Sequence, residues 1–248
     1  MCLIAFAIQQ DEQYPFIFIA NRDEFYERPT QSMHWWEDEN IVAGKDLLAG
    51  GTWIAFGKNQ QFAAVTNYRD LERNQPTAPS RGAIPVNLIK ENPTNFQQYV
   101  INNKAHWSEM NGFNLLYHNG KETFYYSNIS EEVKTLDSGV YAISNAFLDT
   151  PWPKVVAVKS RLQHIIENEK ISVDNLLEIL SNHNIYPEEQ LPETGVGIEM
   201  EKLLSPICIQ SPIYGTRVST IFLKGNNGTA HVAERDVLKN TILSFDIK

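Results

Sequence analysis

Two features of this 248-residue chain could do chemistry: Cys2, directly after the initiator methionine, and the polar run Asn21-Arg22-Asp23-Glu24. Initiator methionine is removed when the next residue is small, and cysteine qualifies. Removal leaves Cys2 with a thiol and a free α-amine on one carbon. An unperturbed thiol titrates near ~8.5 and an α-amine near ~7.7–8.0. At neutral pH the amine is partly unprotonated and takes the thiol's proton, directly or through water. A nucleophile and its base in one residue form a core for acyl transfer, as in N-terminal threonine enzymes. By position alone Cys2 reads rather as a small buried hydrophobe.

The polar run follows an apolar stretch of strand character, Phe16-Ile17-Phe18-Ile19-Ala20. If strand alternation continues through it, Arg22 and Glu24 share one face and Asn21 and Asp23 the other. An arginine near Cys2 favours the thiolate and is expected to lower the thiol pKa. A carboxylate there could hold the α-amine. The same four residues also read as the solvated end of a surface hairpin. Other chemistry has little support. The six histidines form no metal-binding spacing, and no Gly-x-Ser-x-Gly elbow, phosphate loop or dinucleotide fingerprint occurs. No cofactor and no metal are implied. The second cysteine, Cys208, sits in the apolar setting Pro206-Ile207-Cys208-Ile209 and reads as an inert buried thiol.

The elements that must position these residues are mostly strands. Residues 2–9 and 16–20 are apolar on both faces, as in a sheet covered on both sides. Further strands are expected at 52–56, 62–66, 113–117, 123–126, 140–144, 219–223, 229–233 and 242–245. Asn92-Pro93 suggests a helix start carrying Phe96, Tyr99 and Val100. Val155, Val158, Leu162, Ile165 and Ile166 make a helical stripe. Ser172 caps a helix with Leu176, Leu177 and Leu180, and residues 80–90 carry a weaker helical signal. Residues 69–80 and 184–214 read as loops, the latter with a short helix near 199–204. The five tryptophans (Trp35, Trp36, Trp53, Trp107, Trp152) read as core or rim aromatics. Gly50-Gly51 and Gly82 read as backbone necessities. Strands at both ends with helices between predict one α+β domain of layered sheets and helices.

Composition bounds the function. Hydrophobic residues make up 42% and charged residues 21%, which excludes wholesale disorder. The formal charge of −9 argues against a nucleic-acid partner, which needs a basic footprint. No stretch reaches the ~20 apolar residues of a membrane span, and the start lacks the basic flank of a signal peptide, so a cytoplasmic setting is expected.

A set of ordered motifs adds a family resemblance. They are Met1-Cys2-Leu3-Ile4, Asn21-Arg22-Asp23-Glu24-Phe25 with Arg28-Pro29, Ala43-Gly44-Lys45-Asp46, Gly50-Gly51-Thr52-Trp53 and Thr66-Asn67-Tyr68-Arg69. Ser80-Arg81-Gly82, Asn111-Gly112-Phe113-Asn114-Leu115, Ser144-Asn145-Ala146, Pro151-Trp152-Pro153-Lys154 and Tyr214-Gly215-Thr216-Arg217 continue the series. In order and spacing the chain resembles the NRDE, or transport-and-Golgi-organisation, family. That family in turn resembles cysteine-type N-terminal nucleophile hydrolases, which include bile-salt hydrolases and penicillin V acylases. The resemblance implies a four-layer αββα sandwich and an amidohydrolase acting on a non-peptide C–N bond of a small acylated substrate. It implies Cys2 as nucleophile, Arg22 beside it, Asn67 and Asn145 near the oxyanion, and Arg217 shaping the site. Taken alone, Asn67 and Asn145 read as turn residues and Arg217 as a structural ion-pair residue. Those hydrolases carry an aspartate three residues after the arginine. Here Asp23 and Glu24 follow at one and two, so Asp23 is the choice for the amine's partner and Glu24 the alternative. A second reading is a non-catalytic carrier of haem or a lipid-like ligand on the same scaffold. A third is a Cys–His peptidase.

Overall fold

The computed structural model describes residues 2–36 and 40–248. Met1, on whose removal the N-terminal chemistry depends, lies outside the described residues. The chain begins with an antiparallel hairpin, β1 (Cys2–Ile8) and β2 (Phe16–Phe25). Asp11 organises its turn by accepting from the backbone N–H groups of Gln13 (2.9 Å) and Tyr14 (2.7 Å). The next elements are β3 (Thr30–Trp36), β4 (Ile41–Asp46), β5 (Ile54–Gly57), β6 (Phe62–Asn67), α1 (Ala83–Glu91), α2 (Phe96–Trp107), β7 (Phe113–His118), β8 (Thr123–Ser127) and β9 (Val133–Leu136). The last are β10 (Gly139–Ile143), α3 (Pro153–Asn168), α4 (Val173–Leu180), α5 (Ile198–Leu204), β11 (Tyr214–Lys224), β12 (Ala230–Asp236) and β13 (Thr241–Ile247).

The chain makes two compact units. The first is built from residues up to Glu27 and from Ser138–Asp246, so it is discontinuous in sequence. Its sheet has the order β10-β1-β2-β11-β12-β13, which puts the N-terminal hairpin between strands from the far end of the chain. On one face Leu3, Ala5, Ile17, Ile19, Ile221 and Leu223 pack with Val155, Val158, Leu162 and Ile165 of α3 and Leu176, Leu177 and Leu180 of α4. Each Leu, Ile or Val among them contributes roughly 1.5–3 kcal/mol when fully buried. The other face carries Phe6, Phe16, Phe18 and Phe222, all buried, with Phe6 stacked on Tyr141 at 5.3 Å. Burial on both faces explains why the hairpin strands read as continuous apolar runs.

The second unit, from Arg28–Asp137, is an antiparallel meander in chain order, β3 to β9, with α1 and α2 inserted between β6 and β7. Its core joins Ala55, Ala63, Val65, Leu115 and Tyr117 to Ile84, Leu88 and Ile89 of α1 and to Phe96, Val100 and Trp107 of α2. Gly51 and Gly82 fit closely: a Cβ on Gly51 would stand 2.5 Å from the Gly82 carbonyl carbon, and Thr52 N donates to Gly82 O at 2.9 Å.

Most expected elements form, including the Ser172 cap, whose hydroxyl accepts from Asn175 N at 3.2 Å. The Asn92-Pro93 helix start is corrected. Asn92 ends α1 in a left-handed conformation (φ 42°), and Pro93 follows as a stop. The cap of α2 is Asn95, whose side chain accepts from Gln98 N at 3.0 Å. Three strands were not expected: β3, β4 and β9. β3 carries a register irregularity between Gln31 and His34, and most of its residues are half-buried or exposed, so its apolar alternation is weak.

Candidate active site

The register of the first sheet sets the site. Cys2 is paired directly with Arg22, and Arg22 on its other side with Val218 of β11. Directly opposed residues project to the same face, so Cys2 and Arg22 share one. Arg22 Nη2 lies 3.5 Å from Glu24 Oε2, two residues along that face. Asn21 and Asp23 turn to the helical face, as alternation predicts. Asn21 Nδ2 donates to Leu180 O (2.8 Å) and Ile207 O (2.9 Å), and Asp23 Oδ1 accepts from Thr216 Oγ1 at 2.7 Å.

β11 is irregular at this place. The pairing shifts between Thr216 and Val218, which leaves Arg217 as the extra residue of a bulge. Arg217 Nη1 donates to Phe25 O at 3.1 Å, and burial together with the nearby Arg22 charge lowers its pKa. Asn145 follows β10, whose Ile143 pairs with Ile4, and so reaches the Cys2 end of β1. Ser144 Oγ lies 3.3 Å from both Cys2 O and Asn145 Oδ1, so its one proton is shared between these two acceptors. Cys2, Arg22, Asp23, Asn145 and Arg217 thus meet at one end of the first sheet. Asn67 ends β6 in the second unit, paired with Phe113, and is exposed.

Electrostatics corrects one expectation. Burial pushes the Cys2 thiol up to about 11, and the Arg22 charge does not outweigh that. Asp23 raises it further, more than Glu24 does. Cys2 is therefore a protonated thiol at neutral pH rather than a standing thiolate. Asp23, only 2% exposed, is itself raised above the ordinary carboxylate value by burial, against the opposing effects of Lys154, Thr216 and Arg22. Cys208 is a buried free thiol, raised by burial, whose sulfur is hydrogen-bonded to Thr216.

Lys154 is the residue that sequence reasoning left without a role. It is 3% exposed, and its Nζ donates to Leu204 O at 2.8 Å. A signal was present: Lys154 follows Pro153 at the start of α3, where the helix dipole disfavours a cation. Among the described residues no group of three or more His, Cys, Asp or Glu is placed to hold a metal ion, and no helix is long and apolar enough to cross a membrane.

An N-terminal strand inside an antiparallel sheet, with helices packed on one face, is the arrangement of the N-terminal nucleophile hydrolase fold. The structure is similar to that of a mutant conjugated bile acid hydrolase from Clostridium perfringens, with a TM-score of 0.58, 9% identity, and coverage of 100% of this chain and 92% of that one. At that identity the likeness defines the fold. Residues 1–239 match the family described as Transport and Golgi organisation 2, and the chain belongs to that family. The Mus musculus Transport and Golgi organization 2 homolog is 31% identical over 264 residues, covering 96% of this chain and 94% of its own. The Homo sapiens homolog is 29% identical over 274 residues, covering 100% and 97%.

Proposed function

We propose that this protein is an N-terminal-cysteine amidohydrolase that cleaves a non-peptide C–N bond of a small acylated molecule in the cytoplasm. The observation that carries the reading is the pairing of Cys2 with Arg22, beside buried Asp23 and with Asn145 bonded to the same end of β1 through Ser144. With Met1 removed, the α-amine of Cys2 accepts the thiol proton as Sγ attacks the substrate carbonyl. The Sγ–C bond forms, and the carbonyl oxygen takes the negative charge. Asn145 supplies a side-chain N–H toward that oxygen. The tetrahedral species collapses, the C–N bond breaks, and the leaving amine departs with the proton. Water then attacks the acyl-enzyme, releases the acid and restores the thiol.

Asp23 holds the α-amine in this reading. Arg22 and Arg217 give the site a positive end in an otherwise acidic chain, which suits a substrate carrying a carboxylate or other anion. Asn67 belongs to the proposal through the family resemblance alone. The test is covalent labelling by a thiol-directed acyl probe. Wild-type protein lacking Met1 gains one acyl group and Cys2→Ala gains none. Equal labelling of Cys2→Ala overturns the proposal. A panel of N-acyl amino acids, bile-salt conjugates, β-lactams and acyl-CoA then sorts the substrate class.

A further inference from the structure

β11 shifts register where it passes Asp23, and the shift decides which residue stands opposite that carboxylate. On one side of the shift Thr220 pairs with Ala20 and Val218 with Arg22. On the other Thr216 pairs with Asp23 and Tyr214 with Phe25. In a regular ladder the Val218–Arg22 register would put Arg217 opposite Asp23 and Thr216 opposite Glu24. The extra residue takes Arg217 out of that place, and its Nη1 donates to Phe25 O instead. Directly opposed side chains meet on one face, so the cross-strand partner of Asp23 is a hydroxyl rather than a cation. Both residues are buried, and Thr216 Oγ1 lies 2.7 Å from Asp23 Oδ1. A second contact fixes the direction of this bond. Ile209 N lies 2.9 Å from the same Thr216 oxygen, and a backbone N–H only donates. A hydroxyl has one proton, so Thr216 accepts from Ile209 and keeps its own proton for Asp23 Oδ1. Thr216 N returns a bond to Ile209 O at 2.8 Å, which holds the hydroxyl in place.

We propose that Thr216, set opposite Asp23 by the bulge in β11, is a positioning residue whose hydroxyl holds Oδ1 of Asp23 so that Oδ2 takes the α-amine of Cys2. This rests on the N-terminal-cysteine reading above. A hydroxyl serves this task where a cation would not. A guanidinium opposite Asp23 would engage both carboxylate oxygens and compete with the amine for them. Thr216 binds one oxygen and brings no charge. Its donated proton favours the carboxylate form, which burial opposes. The charged and titratable groups about Asp23 are Arg22 beside it on β2, Cys2 on β1, Lys154 of α3 and Cys208 in the segment before β11. Glu24 turns with Arg22 to the other face. Burial raises both thiols, so they stay protonated through the acid range in which a carboxyl titrates.

The experiment is a ¹³C NMR titration of the Asp23 carboxyl, assigned by its loss in Asp23→Asn, in wild type, Thr216→Val and Thr216→Ser, all as chains that begin at Cys2. Thr216→Val keeps the shape and removes the proton. The midpoint is expected to rise by about 1–2 units in Thr216→Val, and to return to within about half a unit of wild type in Thr216→Ser. A midpoint unmoved in Thr216→Val, or moved as far in Thr216→Ser, overturns the proposal. Thr216→Val also leaves Ile209 N–H without its acceptor, so a fall in stability is expected of it on any account; the carboxyl midpoint is the readout that a merely structural role leaves alone. If Thr216→Val does not fold, the wild-type hydroxyl proton of Thr216 takes its place. Its chemical shift should titrate with the Asp23 midpoint, and a shift that does not change there overturns the proposal equally. The acid limb of acyl-probe labelling should move upward with the Asp23 midpoint, and a limb that stays while the midpoint moves overturns the role toward the amine. A midpoint that moves in a protein that no acyl probe labels supports the hold of Thr216 on Asp23 and removes the hydrolase reading instead.

Discussion

Cys2 is a buried thiol held near pH 11 by desolvation, so its reactivity depends on where its proton goes. A chain that keeps Met1 has no amine on Cys2. Its alkylation by iodoacetamide should climb about tenfold per pH unit between about pH 7 and 9, following the thiolate fraction. In the proposed mechanism the amine of the processed chain serves as base, and the rate should flatten once that amine has lost its proton near pH ~8. Intact mass separates the two forms, and a processed form whose rate climbs without a break past about pH 9 removes the amine from its role. Asn145 gives a second prediction. Ser144 Oγ lies 3.3 Å from its Oδ1, and the proposed mechanism assigns its side-chain N–H to the oxyanion. Asn145→Ala should lower kcat by about 10²–10³ with little change in KM. Cys2 and Arg22 stand at marked positions in the sequence, after the initiator and at the end of an apolar strand, whereas Asn145 is singled out only by the family resemblance. The raised thiol was not legible. Arg22 advertises a positive charge, but the desolvation that outweighs it comes from a burial that only the fold reveals.

The glycine pair Gly51 and Gly82 supports the second unit, and the cap Ser172 supports the first. Gly51→Ala would press a methyl against the Gly82 carbonyl at 2.5 Å. The backbone must shift, at a cost of roughly 1–3 kcal/mol, and a fall in thermal midpoint would register it. A midpoint equal to wild type would mean that the two backbones separate freely. Ser172→Ala removes the hydroxyl that accepts from Asn175 N, and should cost about 1 kcal/mol, or about 2–4 °C in a chain of this size. Strong periodicity made α3 and α4 readable, and runs apolar on both faces made β1 and β2 readable. Asn92 misled because asparagine serves both ends of a helix: it caps a start through its side chain and ends one by tolerating positive φ. β3 and β4 were missed for a different reason. Their partly exposed outer residues blur the two-residue period on which strand reading depends.

The first unit cannot be completed until the chain has passed through the second, since β2 lies between β1 and β11. A chain ending at Asp137 would lack β10, α3, α4 and β11 to β13. It should leave the β1–β2 hairpin unprotected in hydrogen exchange, and protection equal to the full chain would contradict that. Within the first unit Leu162→Ala should cost about 2–5 kcal/mol, because Leu162 is wholly buried between α3 and the sheet. The broad α+β class was legible from strands at both ends of the chain. The interleaving was not, because no local pattern tells β2 that its other neighbour lies some 190 residues away; Asp23 and Thr216 find each other only in the fold.

The most direct measurement is the mass and location of the acyl group trapped on the protein during turnover of an acyl amide. Quenched protein is weighed intact and then mapped by peptide mass spectrometry. The predicted result is one acyl group on the Cys2 thiol, in chains that begin at Cys2, with none on Cys208. An adduct carried equally by chains that retain Met1, or found at Cys208, would contradict the account.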